Sequence, residues 1–145
     1  MTTRRALLLA APAVLLATAV RAAPVPVMLY KNPECDCCEG YAAYLRKHGF
    51  TVTVKASNDL AEISRKAGIP PELEGCHTAF IGDYVVDGHV PVAVINKLLT
   101  EHPQIKGITL PGMPQGSPGM YGKKTGPFTI YAIDEDGKPI VFMTL

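Results

Sequence analysis

No apolar run in this sequence is long enough to span a bilayer, and no region carries a strong excess of positive charge. The most apolar stretch, residues 6–20, is fifteen residues long, whereas a membrane-spanning helix needs about twenty. The formal net charge is only +1, which argues against a nucleic-acid partner. Tryptophan is absent, but 48% hydrophobic and 19% charged residues exclude bulk disorder and are typical of one globular domain.

The N-terminus has the parts of a secretory signal. Arg4 and Arg5 form a basic region, residues 6–20 an apolar region, and residues 20–22 (Val-Arg-Ala) a cleavage site. We predict a cleaved signal peptide at 1–22, a mature domain at 24–145 and a periplasmic location, with a membrane anchor as the alternative. Sec and twin-arginine export both stay open. Cleavage leaves eleven basic against thirteen acidic residues, a net charge of −2, so we expect neither a nucleic-acid nor a membrane partner.

Hydrophobic periodicity predicts alternating strands and helices up to about residue 103. In order, these are a strand (26–30), a loop with three cysteines, a helix with the apolar stripe Cys38, Tyr41, Ala42 and Leu45, a strand (50–55), a helix starting at the N-cap pair Asp59 and Glu62, two strands (78–81 and 84–86) and a helix with Pro91 as its first residue. This order, with cysteines before the first helix, predicts an α/β single domain of thioredoxin/glutaredoxin-like fold.

The last third of the chain has a different composition. Residues 108–126, ITLPGMPQGSPGMYGKKTG, predict a loop throughout, and Pro-Gly-Met occurs in it twice. Residues 128–133 and 140–143 flank Asp136-Gly137 and predict a hairpin. The predicted domain therefore has a Met/Gly/Pro-rich loop and a C-terminal β-hairpin.

Three of the four residues in the segment CDCC are cysteines: Cys35, Cys37 and Cys38. We expect the first helix to begin near Cys37 or Cys38, where its positive end would stabilise thiolates, and so predict acidic, accessible thiols. A structural disulfide is the alternative in an oxidising compartment. A bond between the neighbours Cys37 and Cys38 would be strained, so one sulfur would be left over. A dithiol switch has no use for that third sulfur.

Five further residues are candidates to face this cluster. Cys76 and His77 stand at the entry of the third strand, where thioredoxin-like folds normally have a cis-proline. His89 precedes the third helix at the same predicted end of the sheet, and Met113 and Met120 lie in the two Pro-Gly-Met units. The alternatives are a hydrogen-bonded structural role for His77, a polar cap for His89, and hydrophobic plugs for both methionines.

Soft sulfur ligands select Cu(I) over hard cations. Thiolates this closely spaced can bridge metal ions, which explains the third sulfur and predicts several ions. Zinc could use four cysteines, or three and a histidine, but would not need the methionines.

The segments CDCC, GCHTAFIGDYVVDGHVP and LPGMPQGSPGM together resemble the CopG-type periplasmic copper-resistance proteins, long filed as a domain of unknown function. The resemblance runs from about Lys31 to Met120. It implies a thioredoxin-like fold that binds several copper ions through cysteine sulfur, and a role in copper handling. The chain departs from the family pattern at Asp36, where glycine is usual, and at Tyr41, the aromatic residue where tryptophan often follows the motif.

We therefore expect a periplasmic protein that binds Cu(I), as several ions, for copper resistance or handling. Its expected ligands are Cys35, Cys37, Cys38, Cys76, His77, His89, Met113 and Met120, and its expected partners are copper ions and other periplasmic copper-handling proteins. We assign no catalytic residue. A thiol–disulfide oxidoreductase or copper redox enzyme that uses the same sulfurs is the alternative, and a disulfide-stapled structural domain is a third.

Overall fold

A computed structural model describes residues 23–145, so the predicted signal peptide at 1–22 lies outside the described residues. Three α-helices and seven strands are present in this range. The strands are β1 Val25–Lys31, β2 Phe50–Ala56, β3 His77–Ile81, β4 Tyr84–Gly88, β5 Gly107–Leu110, β6 Thr129–Ile133 and β7 Pro139–Thr144. The helices are α1 Asp36–Lys47, α2 Leu60–Lys66 and α3 Val92–Glu101, and a 3-10 turn follows α2 at Pro71–Leu73.

All seven strands form one mixed sheet in the order β2-β1-β3-β4-β5-β6-β7. β1 is parallel to β2 and β4 is parallel to β5, and the other neighbours are antiparallel. Lys31, at the end of β1, pairs with His77, at the start of β3, and Thr78 pairs with Asp87 near the end of β4. The sheet therefore brings three strand ends together on the same side: the end of β1, the start of β3 and the end of β4.

The main core lies between one face of the sheet and helices α1 and α3. The predicted stripe of α1 is confirmed, since all four of its residues are fully buried. Tyr41, Ala42 and Leu45 belong to one core cluster with Val27 and Leu29 of β1 and with Ile95 and Leu98 of α3. Burying each of these large aliphatic side chains stabilises the fold by about 1.5–3 kcal/mol. A smaller cluster around Ile69, Val85 and Ile133 lies on the opposite face, with Ala67 at the end of α2.

The structure corrects several predicted boundaries. Residues 107–110 form β5, although residues from 108 onward were predicted as loop, and all four are buried between β4 and β6. α1 begins at Asp36 with Cys35 as N-cap, one or two residues earlier than expected. Pro91 is the N-cap of α3 and not its first residue.

The predicted capping of α2 is also wrong in its chemistry. Asp59 is the N-cap residue, but its side chain makes no capping hydrogen bond. The Glu62 carboxylate instead pairs with Lys66, at 2.6 Å. The C-terminal hairpin of β6 and β7 is confirmed. None of the helices within residues 23–145 combines the length and apolar character that crossing a bilayer requires.

Candidate metal centre

The cysteine loop, as we call residues 32–38, comprises the turn that follows β1 and the first residues of α1. Its turn is closed by the Cys35 N–H, which donates to the Asn32 carbonyl at 3.1 Å. Cys35 and Cys38 form a disulfide with their Cα atoms 5.4 Å apart. Cys38 is completely buried and Cys35 is half-buried. The prediction of three accessible thiols is therefore wrong for this state of the loop, because helix packing buries Cys38 and the disulfide leaves Cys37 as its free thiol.

The Cys37 sulfur, which the disulfide leaves free, lies between the rest of the cysteine loop and the segment that carries Cys76. Cys37 Sγ is 3.5 Å from Cys35 Sγ and 3.7 Å from Cys76 Sγ. Cys76 is the second free thiol among the described residues. Its pKa is raised by burial first and by the neighbouring Cys37 second. In the absence of a metal, Cys76 is therefore a protonated thiol at neutral pH.

The segment that carries Cys76 is held by close backbone packing and by a buried carboxylate. A Cβ on Gly75 would lie 2.7 Å from the Gly88 Cα, so only glycine fits there. The Gly75 N–H and the Thr78 hydroxyl both donate to the Asp87 carboxylate. Burial raises the pKa of Asp87 to about 7. No cis peptide bond is present at this strand entry or elsewhere in residues 23–145, and Cys76 O lies 3.2 Å from Cys38 Sγ.

Both predicted histidines stand beside Cys76. His89 Nε2 is 3.0 Å from Cys76 Sγ, and its Nδ1–H donates to the Pro118 carbonyl at 2.6 Å, which leaves the Nε2 lone pair facing the sulfur. His77 Nδ1 is 3.4 Å from the same sulfur. His77 Nε2 is buried and has no hydrogen-bond partner in the described part of the chain. Burial lowers the pKa of both histidines, to about 3 for His77, so both are neutral imidazoles, the form that binds metals.

The Tyr41 ring packs against both histidine rings of the centre. Its ring centroid is 4.5 Å from that of His77 and 5.3 Å from that of His89. Its hydroxyl donates to the Val90 carbonyl at 2.8 Å. Helix α1 is thereby joined to the turn that carries His89, and the two imidazoles have little freedom to rotate.

The Met loop, residues 111–120, passes over α1 at Gly40 and Tyr41. Gly119 has a φ of 82°, and a Cβ there would lie 2.5 Å from the Tyr41 backbone nitrogen. Met120 follows it and is half-buried. Met113 is 41% exposed and has a left-handed φ of 44°. The loop is therefore seated on α1 beside His89, and ligation by either methionine stays a prediction.

The convergent atoms form two overlapping candidate ligand sets. The sulfurs of Cys35, Cys37, Cys38 and Cys76 lie within 4.8 Å of one another, and the same limit holds for Cys76 with His77 and His89. Cys76 belongs to both sets. Soft sulfur next to neutral imidazole suits copper or zinc, and not magnesium or calcium.

Two buried ionisable side chains near the centre, those of Lys31 and Asp87, are missing from the site predicted from the sequence. Both lie on strands, at positions where the strand faces the interior: β1 buries Val27, Leu29 and then Lys31, and every residue of β4 is buried. A lysine that continues the buried side of a strand is the signal that identifies the first of them.

Comparisons with known proteins agree with this geometry. Residues 73–120 match the family described as a protein of unknown function, DUF411. The chain is similar to two solved structures called copper resistance protein copG, form 2 and form 1, at 32% identity, with TM-scores of 0.78 and 0.77. Each comparison covers 84% of this chain and 98% of the other. No curated protein matches the sequence. At this identity and coverage, the chain belongs to the CopG-type copper-resistance family.

Proposed function

We propose that this protein is a periplasmic copper-binding protein that holds Cu(I), as several ions, through its four cysteines. The observation that carries the proposal is the convergence of four sulfurs from two separate chain segments within 4.8 Å of one another. Its structural relatives are called copper resistance proteins, which supports copper as the cargo. His77, His89, Met113 and Met120 complete the proposed ligand set.

Cu(I) is the oxidation state that fits these donors best. Thiolate and thioether sulfur favour a soft ion. A structural zinc site would be satisfied by four ligands, whereas six cysteine and histidine side chains converge here. Cys37, which has sulfur neighbours on both sides, and Cys76, which belongs to both ligand sets, are the proposed bridging thiolates.

Full loading requires the Cys35–Cys38 disulfide to be reduced. Two electrons and two protons convert it to two thiols, and those electrons come from a dithiol or low-molecular-weight thiol donor. With the disulfide closed, two thiols and two imidazoles remain for one ion. With it open, four thiolates are available for several ions.

A thioredoxin-like architecture is part of the proposal. The strand order β2-β1-β3-β4 with β1 parallel to β2, and the cysteine pair at the start of α1, support it. The periplasmic location is supported by the secretory pattern of the first 22 residues and by the copper-resistance names of the relatives.

Thiol–disulfide exchange is the second candidate function. The free thiol of Cys37 lies 3.5 Å from a sulfur of the disulfide, which favours exchange within the loop. Attack on Cys35 would form a Cys35–Cys37 bond and release the Cys38 thiol, so no external oxidant would be needed. Reduction of an external disulfide is a separate reaction, for which Cys35 and Cys38 supply both thiols.

Copper content and free thiols measured together separate these candidates. Protein purified anaerobically from the periplasm should contain more than one copper per chain and show few titratable thiols until the copper is removed. Metal-free protein with an intact disulfide and two free thiols would instead favour exchange.

A further inference from the structure

One buried cation has no role in the copper chemistry described above. Lys31 is the last residue of β1 and lies on the same buried side as Val27 and Leu29. Only 4% of its surface is exposed. Burying an ammonium group is strongly unfavourable unless its charge is hydrogen-bonded and paired, so its partners identify what it stabilises.

All the polar partners of the Lys31 side chain belong to the cysteine loop or to the first turn of α1. Its Nζ donates to the carbonyl oxygens of Pro33, Asn32 and Cys35, at 3.0, 3.2 and 3.4 Å. It also pairs with the carboxylate of Glu39 at 3.2 Å. A single ammonium group thus ties the end of β1, the turn and the start of α1 together.

Apart from the Cys35–Cys38 disulfide and the backbone hydrogen bond from Cys35 to Asn32, the loop has little other support. Cys35 is the N-cap of α1, yet its side chain makes no capping hydrogen bond. No other side chain in residues 23–145 donates to these three carbonyls. Charge-assisted hydrogen bonds are about twice as strong as neutral ones, so Lys31 is the main side-chain restraint on the turn that carries the cysteines.

We propose that Lys31 is a positioning residue that fixes the cysteine loop and thereby sets the spacing of its three sulfurs from one another and from Cys76. It touches no candidate ligand atom and acts through the backbone that carries the ligands. The inference builds on the proposed copper function, but the spacing of Cys35 and Cys38 can be measured without copper, through the equilibrium of their disulfide with glutathione.

The first test uses metal-free protein in glutathione redox buffers. Lys31→Met removes the donors while keeping a side chain of similar length. A loosened turn lowers the effective concentration of one thiol at the other, so the equilibrium constant for forming the disulfide should fall about tenfold. A change of less than about twofold would overturn the inference. A rise in this equilibrium constant would overturn the inference too. Such a rise would show that Lys31 acts by stabilising the thiolates of the reduced form with its positive charge, and not by positioning them.

Three variants serve as controls. Lys31→Arg keeps the charge and several donors, and should restore the constant to within about threefold. Lys66→Met removes an exposed lysine from its pair with Glu62 and should have no effect. Asp87→Asn disturbs the hydrogen bonds at Gly75 and Thr78, so it tests for general destabilisation. An equal fall in Asp87→Asn would overturn a specific role for Lys31.

Circular dichroism establishes that each variant is folded at the measuring temperature. If Lys31→Met does not fold, Lys31→Gln replaces it, with a smaller fall expected, because an amide keeps two donors.

The second test measures Cu(I) affinity of the reduced proteins against a competing chelator. Loss of an outer-sphere partner typically costs about 10–100-fold in metal affinity, and Lys31→Met should fall in that range with Lys31→Arg close to wild type. If the wild type binds no copper but the equilibrium constant for disulfide formation still falls in Lys31→Met, the positioning role stands and the copper function fails. If the wild type binds copper and neither measurement changes in Lys31→Met, the positioning role fails alone.

Discussion

Replacing Cys37 with serine separates copper binding from dithiol exchange. Cys37 Sγ lies between the sulfurs of two chain segments, at 3.5 Å from Cys35 Sγ and 3.7 Å from Cys76 Sγ. Serine has nearly the same shape but offers a hard oxygen, which is a poor ligand for Cu(I). The side chain is half-buried and the Cys35–Cys38 disulfide is kept, so the free energy of unfolding should change by less than about 1 kcal/mol.

The expected loss of copper affinity is much larger than this change in stability. Removing an outer-sphere partner already costs about 10–100-fold, so losing a bridging sulfur should cost more than about 100-fold, or about 2.7 kcal/mol of binding free energy. Without Cys37, the sulfur of Cys76 loses its 3.7 Å neighbour. The number of ions bound should fall with it. Cys35→Ser should lower copper loading to a similar extent, because it too removes one of the four sulfurs.

Competition with a Cu(I) chelator, growth on copper and insulin reduction together form the assay. Cys37→Ser should lose copper loading and copper tolerance while keeping whatever insulin-reducing activity the wild type has, since Cys35 and Cys38 remain. Full copper loading and full tolerance in cells that express Cys37→Ser would refute the role given to the third sulfur.

Three further predictions follow from the same geometry. Changing Met113 and Met120 together to isoleucine should preserve the fold and weaken Cu(I) binding in chelator competition; unchanged affinity would remove both from the ligand set. Tyr41→Phe leaves the Val90 carbonyl without its 2.8 Å donor and should lower the free energy of unfolding in urea by about 1–2 kcal/mol, whereas a loss below about 0.3 kcal/mol would contradict that contact. Oxidised protein, with the disulfide closed, should bind fewer Cu(I) ions than reduced protein in parallel titrations, and equal numbers would show that the disulfide does not limit the site.

The sequence predicted those parts of the fold that depend on local pattern. The stripe on α1 repeats at helical spacing, and the two short strands predicted at 78–81 and 84–86 lie close together in the sequence, so both were recognisable. β5 was missed because its four residues run into Pro111 and Gly112, and its strand character comes from pairing with β4 and β6, which are distant in sequence. Tertiary pairing of this kind outweighs a local loop signal.

The same distinction applies to the candidate site. The residue types in CDCC, in the pair Cys76-His77 and at His89 identified six side chains that the structure brings together. The apolar stripe placed Cys38 on the buried side of α1, but the sequence did not decide between free thiols and the Cys35–Cys38 disulfide, because both are compatible with the same spacing. The position of Lys31 on the buried side of β1 is a sequence signal, but it does not reveal the role of this lysine, because the carbonyl groups that surround its ammonium belong to the backbone and have no sequence signature.

The number of Cu(I) ions bound by the fully reduced mature protein tests the central claim most directly. Anaerobic titration against a Cu(I) chelator, with copper and protein both quantified, should saturate at more than one ion per chain, because four convergent thiolates can bridge several ions. Saturation at one equivalent, or zinc binding that copper does not displace, would contradict the bridged copper centre.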